Sequence, residues 1–575
     1  MRQPLRAQSL GDMLRHRCQE FADRTSHLVT AKGGDHATTY RELYEKVFQY
    51  ARALDALGLQ KGDRLVILGE SCFEWALADW AALSMGVVTV PIYPTLPPDQ
   101  ASYIADDCGA KACVLLESRL AAKLPGRSPV YLRPNEGEPG LLALAEKSAM
   151  DKAAWEARID AVEPDDTATF IYTSGTTGQP KGAVLSHRNF VFLCENIKAS
   201  LPVDETDTFL VFLPLSHVYE RFAGHILPIS VGARIVYAGS LASLAGDMVK
   251  YEPTVMLCVP RFLENMKGRI LDSVEKQKPI QKWLFNVALA QGVAKAQGKS
   301  APLFALTDAV VGKKIRARTG GHIKFFVSGG AALPTHVAEF YMAFGLLVLQ
   351  GYGLTETTAA SSLNHPDRSR YWTVGEPIKG VEFQLAADGE ILIRGDSVMS
   401  GYHNLPQATA EAIDAEGWFH TGDIGEWEDG RLKITDRKKD LLVLGNGKNV
   451  APQAVENALK ESPYINEVVL FGDGMEYCCA LVVPDFDRLK TWLGQHSLKA
   501  ADLAEAVRLP EVKDLIKGEV DKANKKLADF EKVKKHVLVG KAFSVESGEL
   551  TPSLKVRRKV VKEMYADDIK SMQRG

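Results

Sequence analysis

Between Lys61 and Ser118 the chain alternates short apolar runs with helical periods, and that rhythm restricts the fold more than any other feature. "RLVILG" reads as a buried strand, "FEWALADWAALSMG" as a helix stopped at glycine, and "VVTVPIY" as a second strand. "PDQASYIADDCG" is then a helix and "KACVLLE" a third strand. Apolar strands separated by helices belong to a parallel, doubly wound sheet, because the helices must cover its faces. The same pattern returns at "RIVYAG" and "TVMLCVP", and again at "IKFFVSGG" and "LLVLQGYG", while a long lysine-containing helical section fills Arg261 to Gly321. After about Gly380 the texture changes. "VEFQLAADGEILIRG" and "GEWEDGRLKITDR" are short strands joined by Asp-Gly turns, an antiparallel pattern. A smaller, lysine-rich α+β segment follows from about Lys438 to the end. The 575 residues exceed what one core organises, and the texture divides them into 1–436 and 437–575. The expected fold class is α/β: a large N-terminal domain with doubly wound sheets and a small antiparallel β subdomain, then a small α+β C-terminal domain.

Composition narrows the function by exclusion. An apolar content of 46% and a charged content of 25% are those of a soluble globular protein. A net charge of -3, with no basic tract interleaved with aromatics, gives no reason to expect nucleic acid as a partner. The eight cysteines are scattered and none forms a CxxC pair, so zinc and redox chemistry are poorly supported and reduced cytoplasmic thiols are expected. The N-terminal "MRQPLRAQSLGDMLRHRCQEF" lacks the apolar core of a secretory signal, and Ser9 followed by Asp12 reads as a capped helix start. The most apolar region, "WAALSMGVVTVPIY", is interrupted by Gly86 and Pro91 and is too short to cross a bilayer. Any membrane contact, at the inner face for a cytoplasmic protein, is therefore expected to be peripheral. Oligomeric state is not legible.

The stretch "TFIYTSGTTGQPKGAVLSHRNF" is the chemically loaded one. An apolar β-rich run ends at Thr173, a glycine- and hydroxyl-rich turn follows, "GAVLS" reads as another strand, and Ser186 caps the helix "HRNFVFLCENI". Glycines let backbone amides approach an anion, and hydroxyls and Lys181 add donors and charge, so the turn has the chemistry of a phosphate cradle. It is not a Walker A loop, because no glycine stands five places before a Gly-Lys-Ser/Thr and Lys181 follows proline.

"YTSGTTGQPKG" resembles the signature of the adenylate-forming superfamily, which includes acyl-CoA synthetases, adenylation domains and beetle luciferases. Six further motifs follow in the family's order: "LPLSHVYER" (213–221), "VSGGAALP" (327–334), "QGYGLTETT" (350–358), "GWFHTGD" (417–423), "ITDRKKD" (434–440) and "LTPSLKVRR" (550–558). The resemblance covers nearly the whole chain. It implies two half-reactions. A carboxylic acid and ATP give acyl-AMP and pyrophosphate, and a thiol then displaces AMP.

The resemblance also implies roles, residue by residue. Ser174, Gly175, Thr176, Thr177, Gly178 and Lys181 would hold the β- and γ-phosphates, and Thr173 and Glu356 would hold Mg²⁺, directly or through water. Gln350 and Gly351 would border the adenine, Tyr352 would stack on it, and Thr355 would donate to the α-phosphate. Asp423 would accept both ribose hydroxyls and Arg437 would contact the ribose. Lys555 would be the catalytic lysine, bridging the acyl carboxylate and the α-phosphate. It is carried by a C-terminal domain that swings about a hinge at Lys439. His217 would border the acyl pocket and the thiol channel. For Glu220 and Arg221 an internal ion pair and a substrate contact stay open.

"LPLSHVYER", "VSGGAALP", "LTPSLKVRRKVV" and the long helical section look most like long-chain fatty acyl-CoA synthetases. A long-chain fatty acid with coenzyme A as acceptor is therefore expected. Medium-chain or aromatic acids, a ligase that stops at acyl-AMP or loads a carrier protein, and a non-catalytic binding protein are the alternatives. "GDS" at 395–397 reads as a turn, and the lysines of "KGEVDKANKKLADFEKVKKH" as a solvated face, with CoA phosphates or anionic lipid as the other reading.

Overall fold

The computed structural model describes residues 7–30, 34–134, 139–173, 179–544, 547–551 and 556–573. Its first helix, Leu10–Glu20, begins where Ser9 caps it, the serine hydroxyl accepting from the Asp12 amide at 3.2 Å. The alternating segment forms the expected sheet. Seven described strands lie in the order Gly401–Tyr402, Lys181–Ser186, Thr167–Thr173, Val88–Ile92, Arg64–Leu68, Ala112–Leu115, Val130–Tyr131. Those from Thr167–Thr173 to Val130–Tyr131 run parallel, and Lys181–Ser186 turns back antiparallel beside Thr167–Thr173. The helix Phe73–Ser84 has every residue but Glu74 buried, which explains why its sequence is apolar all round rather than on one stripe.

A second sheet holds nine described strands, in the order Glu376–Pro377, Ser362–Leu363, Val348–Tyr352, Phe325–Ser328, Val255–Cys258, Thr208–Val211, Arg234–Tyr237, Thr25–Val29, His36–Thr39. Its six central strands are parallel and both edges are antiparallel. The edge made by Thr25–Val29 and His36–Thr39 had no signal in the alternating pattern, being polar and short. The long helical section forms Pro260–Glu275, Pro279–Ala296 and a broken run from Phe304 to Ala317, whose Phe285, Ala288 and Ile315 join the core beneath.

The Asp-Gly segments build a four-stranded sheet, Glu382–Leu385, Glu390–Arg394, Phe419–Glu428, Arg431–Arg437. Gly389, Asp429 and Gly430 all take positive φ at its turns, the conformation that Asp-Gly tolerates at low cost. The chain divides into two compact units. One comprises Met1–Gln384, Leu392–Thr421 and Glu428–Leu432; the other Leu385–Ile391, Gly422–Trp427 and Lys433–Gly575. The second has a three-stranded sheet, Ile465–Phe471, Cys478–Pro484, Val533–Leu538, with apolar residues on both faces. Strand alternation sends the adjacent Cys478 and Cys479 into different cores, one under the helices Pro452–Leu459 and Pro510–Asn524, the other under Arg558–Met564 and Ala566–Gln573.

Candidate active site

In open α/β sheets ligands gather outside the carboxyl ends of the strands. The larger unit brings most of its predicted positions there. Thr173 ends Thr167–Thr173, and Lys181 opens the next strand directly opposite it. Gly351 and Tyr352 end Val348–Tyr352, Thr355 and Glu356 form the short turn that follows, and His217 comes after Thr208–Val211. Ser174, Gly175, Thr176, Thr177, Gly178 and Lys555 lie outside the described residues.

Lys181 and Glu356 meet at one side chain that the motifs do not contain, Tyr402. Its hydroxyl donates to Glu356 Oε1 at 2.8 Å, and Lys181 Nζ lies 5.1 Å from its ring centroid. Burial, then the neighbouring Glu356 charge, pushes the Tyr402 phenol up, so it stays protonated and donates. Tyr402 reaches this place because Gly401–Tyr402 adds to the sheet beside Lys181–Ser186. The preceding segment is tied down as well. The Met399 amide donates to the Glu356 carbonyl at 2.8 Å, Thr358 Oγ1 donates to the Ser397 carbonyl at 2.7 Å, and Asn189 Nδ2 donates to the carbonyls of Asp396 and Val398. "GDS" at 395–397 is a turn, closed by the Val398 amide on the Gly395 carbonyl.

The two strands flanking the glycine-rich segment are fixed against each other by shape. Tyr172 and Gly182 are cross-strand partners, and a Cβ at Gly182 would stand 2.9 Å from the Tyr172 ring. The Tyr172 hydroxyl donates to Asp107 Oδ2 at 2.5 Å, at the end of the helix Pro98–Asp107. Thr173 Oγ1 is 3.5 Å from the Lys181 carbonyl, too long for a strong bond.

The predicted adenine-side residues differ in how far the protein already uses them. The Gln350 side chain is committed within the fold: Oε1 accepts from the Leu333 amide at 3.2 Å and Nε2 donates to the Tyr371 carbonyl. It thereby joins "VSGGAALP" to "QGYG". Tyr352 is buried, and Gly353 is required because a Cβ there would meet the Ala359 carbonyl oxygen at 2.4 Å. His217 caps the helical turn Val218–Glu220, its Nδ1 accepting from the Tyr219 amide at 3.1 Å, with Tyr93 edge-on at 6.4 Å. A neutral ring in that role carries its proton on Nε2.

The open question over "ER" resolves into two different environments. Arg221 is fully buried and forms a bidentate pair with Asp79, at 3.0 Å from Nε and 2.6 Å from Nη2, with Thr169 and Thr89 hydroxyls at 2.6 Å. Asp79, the one buried carboxylate of the helix Phe73–Ser84, was invisible to motif reasoning; a charge amid apolar residues is the signal that could have found it. Glu220 does not pair with Arg221. It is buried, and that burial, only partly opposed by the Phe212 backbone, raises its pKa well above the usual carboxylate range. Its Oε1 occupies the space a side chain at Gly224 would need, 2.6 Å from a Cβ there. The next residues, Arg221–Ile226, form a π-helical turn, a rare local geometry found disproportionately at functional sites.

The smaller unit brings two further predicted residues together. Arg437 Nε lies 3.0 Å from Asp423 Oδ1, with the carboxylate almost wholly buried and the guanidinium half exposed. Lys439 is exposed in the turn that follows, closed by the Asp440 and Leu441 amides on the Arg437 carbonyl. Lys438 pairs with Glu390 and Asp388 instead, at 2.9 and 2.6 Å. Asp436 is buried, and that burial raises its carboxyl pKa to about 6. Among the basic residues after position 555, Arg558 is structural: it donates to the Leu470 carbonyl at 2.6 Å and pairs with Glu456 at 2.7 Å.

These geometries sit in a chain with many known relatives. Residues 14–403 match the model of the AMP-binding enzyme family, and residues 439–574 that of the AMP-binding enzyme C-terminal domain. The chain therefore belongs to the AMP-binding, adenylate-forming enzymes. Within them it belongs with the long-chain-fatty-acid–CoA ligases. The FadD15 ligase of Mycobacterium bovis is 34% identical over 93% of this chain and 92% of its own length. Long chain acyl-CoA synthetase 6 of Arabidopsis thaliana is 33% identical over 98% and 86%. The fold matches the adenylation domain of a Mycobacterium chelonae carboxylate reductase, with TM-score 0.76 at 22% identity over 98% of this chain and 91% of that one. It also matches ATP-bound MatB of Rhodopseudomonas palustris, with TM-score 0.72 at 24% identity over 97% and 99%.

Proposed function

We propose that this enzyme activates a long-chain fatty acid with ATP to acyl-AMP and pyrophosphate, then transfers the acyl group to coenzyme A. The observation that carries the reading is the convergence of Thr173, Lys181 and Glu356 at the carboxyl ends of the strands, in a chain aligned over 93% of its length with a long-chain-fatty-acid–CoA ligase. A carboxylate repels nucleophiles and has no good leaving group. In the first step its oxygen attacks the α-phosphorus and pyrophosphate departs; in the second the thiol sulfur attacks the acyl carbon, AMP departs and the thiol proton is lost.

Each step needs positive charge and oriented donors where anions crowd together. Lys181, with residues 174–178, holds the outer phosphates; Thr355 donates to the α-phosphate; Tyr352 stacks on the base beside Gln350 and Gly351. Asp423 accepts from the ribose hydroxyls and Arg437 borders them. Lys555 bridges the two reacting anions. Lys439 is the hinge about which a mobile domain, 437–575, exchanges the two half-reactions. His217 borders the acyl pocket and the thiol path.

Thr173 and Glu356 would hold Mg²⁺. Among the described residues no cluster of three or more His, Cys, Asp or Glu could cage a metal. One hydroxyl and one carboxylate suit an ion that arrives on a triphosphate and keeps several waters. Such an ion supplies charge neutralisation at the phosphates.

The test is pyrophosphate release from ATP with palmitate, with and without CoA. Acid-dependent release together with a CoA thioester product is expected. Release without acyl-CoA formation, or thioester only on an added carrier protein, would favour the carrier-loading alternative, and a panel including medium-chain and aromatic acids sets the substrate class. Lys555→Ala is expected to lose about 10²–10³ in acyl-AMP formation, the usual cost of removing one transition-state donor, while still converting supplied acyl-AMP to thioester. Undiminished adenylation would refute that role.

A further inference from the structure

The long helical section carries a surface that the reaction does not use. In Pro279–Ala296, Phe285, Ala288 and Gly292 are buried, whereas Ile280 and Trp283 are 67% and 60% exposed. In the following helical run Thr307, Gly312 and Ile315 turn inward, and Leu303, Leu306 and Val310 are 49%, 67% and 40% exposed at spacings of three and four. The two segments are neighbours: the Leu303 amide donates to Gln291 Oε1 at 3.0 Å, and Lys295 Nζ lies 3.8 Å from the Phe304 ring centroid. Each therefore has one stripe in the core and a second apolar stripe facing water.

Charge surrounds these stripes with one sign. Residues 275–318 contain nine lysines and arginines and two acidic residues, in a chain whose net charge is -3. Both acids are already held, Glu275 by Lys282 at 2.7 Å and Asp308 by Arg316 at 2.6 Å. Lys313 and Lys314 are exposed and follow Val310 by three and four positions, so they flank the apolar stripe on the same helical run. Bulky aliphatics and a tryptophan on one side of a helix, bordered by lysines whose stems can lie along an interface, form the pattern of a helix that rests in the headgroup layer. Among the described residues no helix is long and apolar enough to cross a membrane.

We propose that Ile280, Trp283, Leu303, Leu306 and Val310, framed by Lys313 and Lys314, dock the protein on an anionic lipid surface. Charge complementarity selects this occupant over a second copy of the chain, which would oppose like charges across the contact.

Flotation of the full-length protein with vesicles tests it. Binding to phosphatidylcholine vesicles containing phosphatidylglycerol is expected, with much weaker binding to phosphatidylcholine alone. Trp283→Ser with Leu306→Ser should weaken partitioning about a hundred-fold, from the apolar area lost. Lys313→Ala with Lys314→Ala should weaken it about thirty-fold, from the contribution of each cation near an anionic surface. Thioester formation from a soluble acid, without vesicles, should stay at the wild-type level in both variants, which separates docking from catalysis and from misfolding. Wild-type protein that stays unbound at anionic vesicles, or variants that bind as it does, would overturn the proposal. So would a wild-type dimer in light scattering that these substitutions dissociate without changing vesicle binding.

Discussion

Gly182 sets how closely the two strands that flank the glycine-rich segment can pack. The Tyr172 ring lies across the strand at the point where a β-carbon would be, and the tyrosine is anchored at its far end on Asp107. Gly182→Ala must move a ring held at both ends. A cost of about 1–3 kcal/mol in stability is expected, as for other overpacked sites. Because Lys181 is the adjacent residue, the ATP KM should rise more than the thioester half-reaction slows; equal effects on both would mean that the ring does not position the lysine. The sequence placed Gly182 at the start of the strand "GAVLS". Its partner was hidden, because strand register, not sequence distance, places Tyr172 opposite it. Tyr402 was hidden for the same reason: it lies over two hundred positions from Lys181 and comes beside it through a two-residue strand. Asp79 and Arg221 illustrate a different cost. Removing either alone would strand the other charge in the core, which typically destabilises by about 3–5 kcal/mol.

At the scale of elements, the strand ending in "ITDR" has a titration of its own. Asp436 titrates near 6 because its carboxyl is buried. A carboxyl whose pKa is raised on folding favours the folded state while protonated, and that contribution fades as pH climbs from the unfolded pKa, 3.8, through about 6. Asp436→Asn, which mimics the protonated form, should leave Tm unchanged near pH 4 and raise it progressively towards pH 7. A Tm gain that is flat with pH would show that the burial is not what shifts the group. The parallel strands and their covering helices were readable from the chain because uniformly apolar runs between helical periods have few other solutions. Asp-Gly pairs likewise marked the antiparallel turns through their positive φ. The polar edge formed by Thr25–Val29 and His36–Thr39 was not readable, since four or five residues without alternation carry too little burial to be distinguished from loop. Gln350 shows the limit on the chemical side. The motif marks its position, but only the fold reveals that its amide already serves Leu333 and Tyr371.

Across the whole molecule, the cysteines are distributed so that every one but Cys72 is buried, and none is bonded to another. Burial raises the thiol of Cys72 to about 12 as well, with Cys478 at about 12 and Cys479 at about 11. Thiolate, the form that alkylating reagents consume, is therefore scarce throughout the native protein. The paired positions 478 and 479 occupy the two cores of the smaller unit, and the other six lie in the larger one. Pulsed alkylation followed by peptide mass mapping should consequently find almost no label at native conditions. With rising denaturant, label should enter positions 478 and 479 together, as the two cores of the smaller unit open. The side-by-side thiols thus act as a natural clock for the opening of the C-terminal unit, with no probe added to the chain.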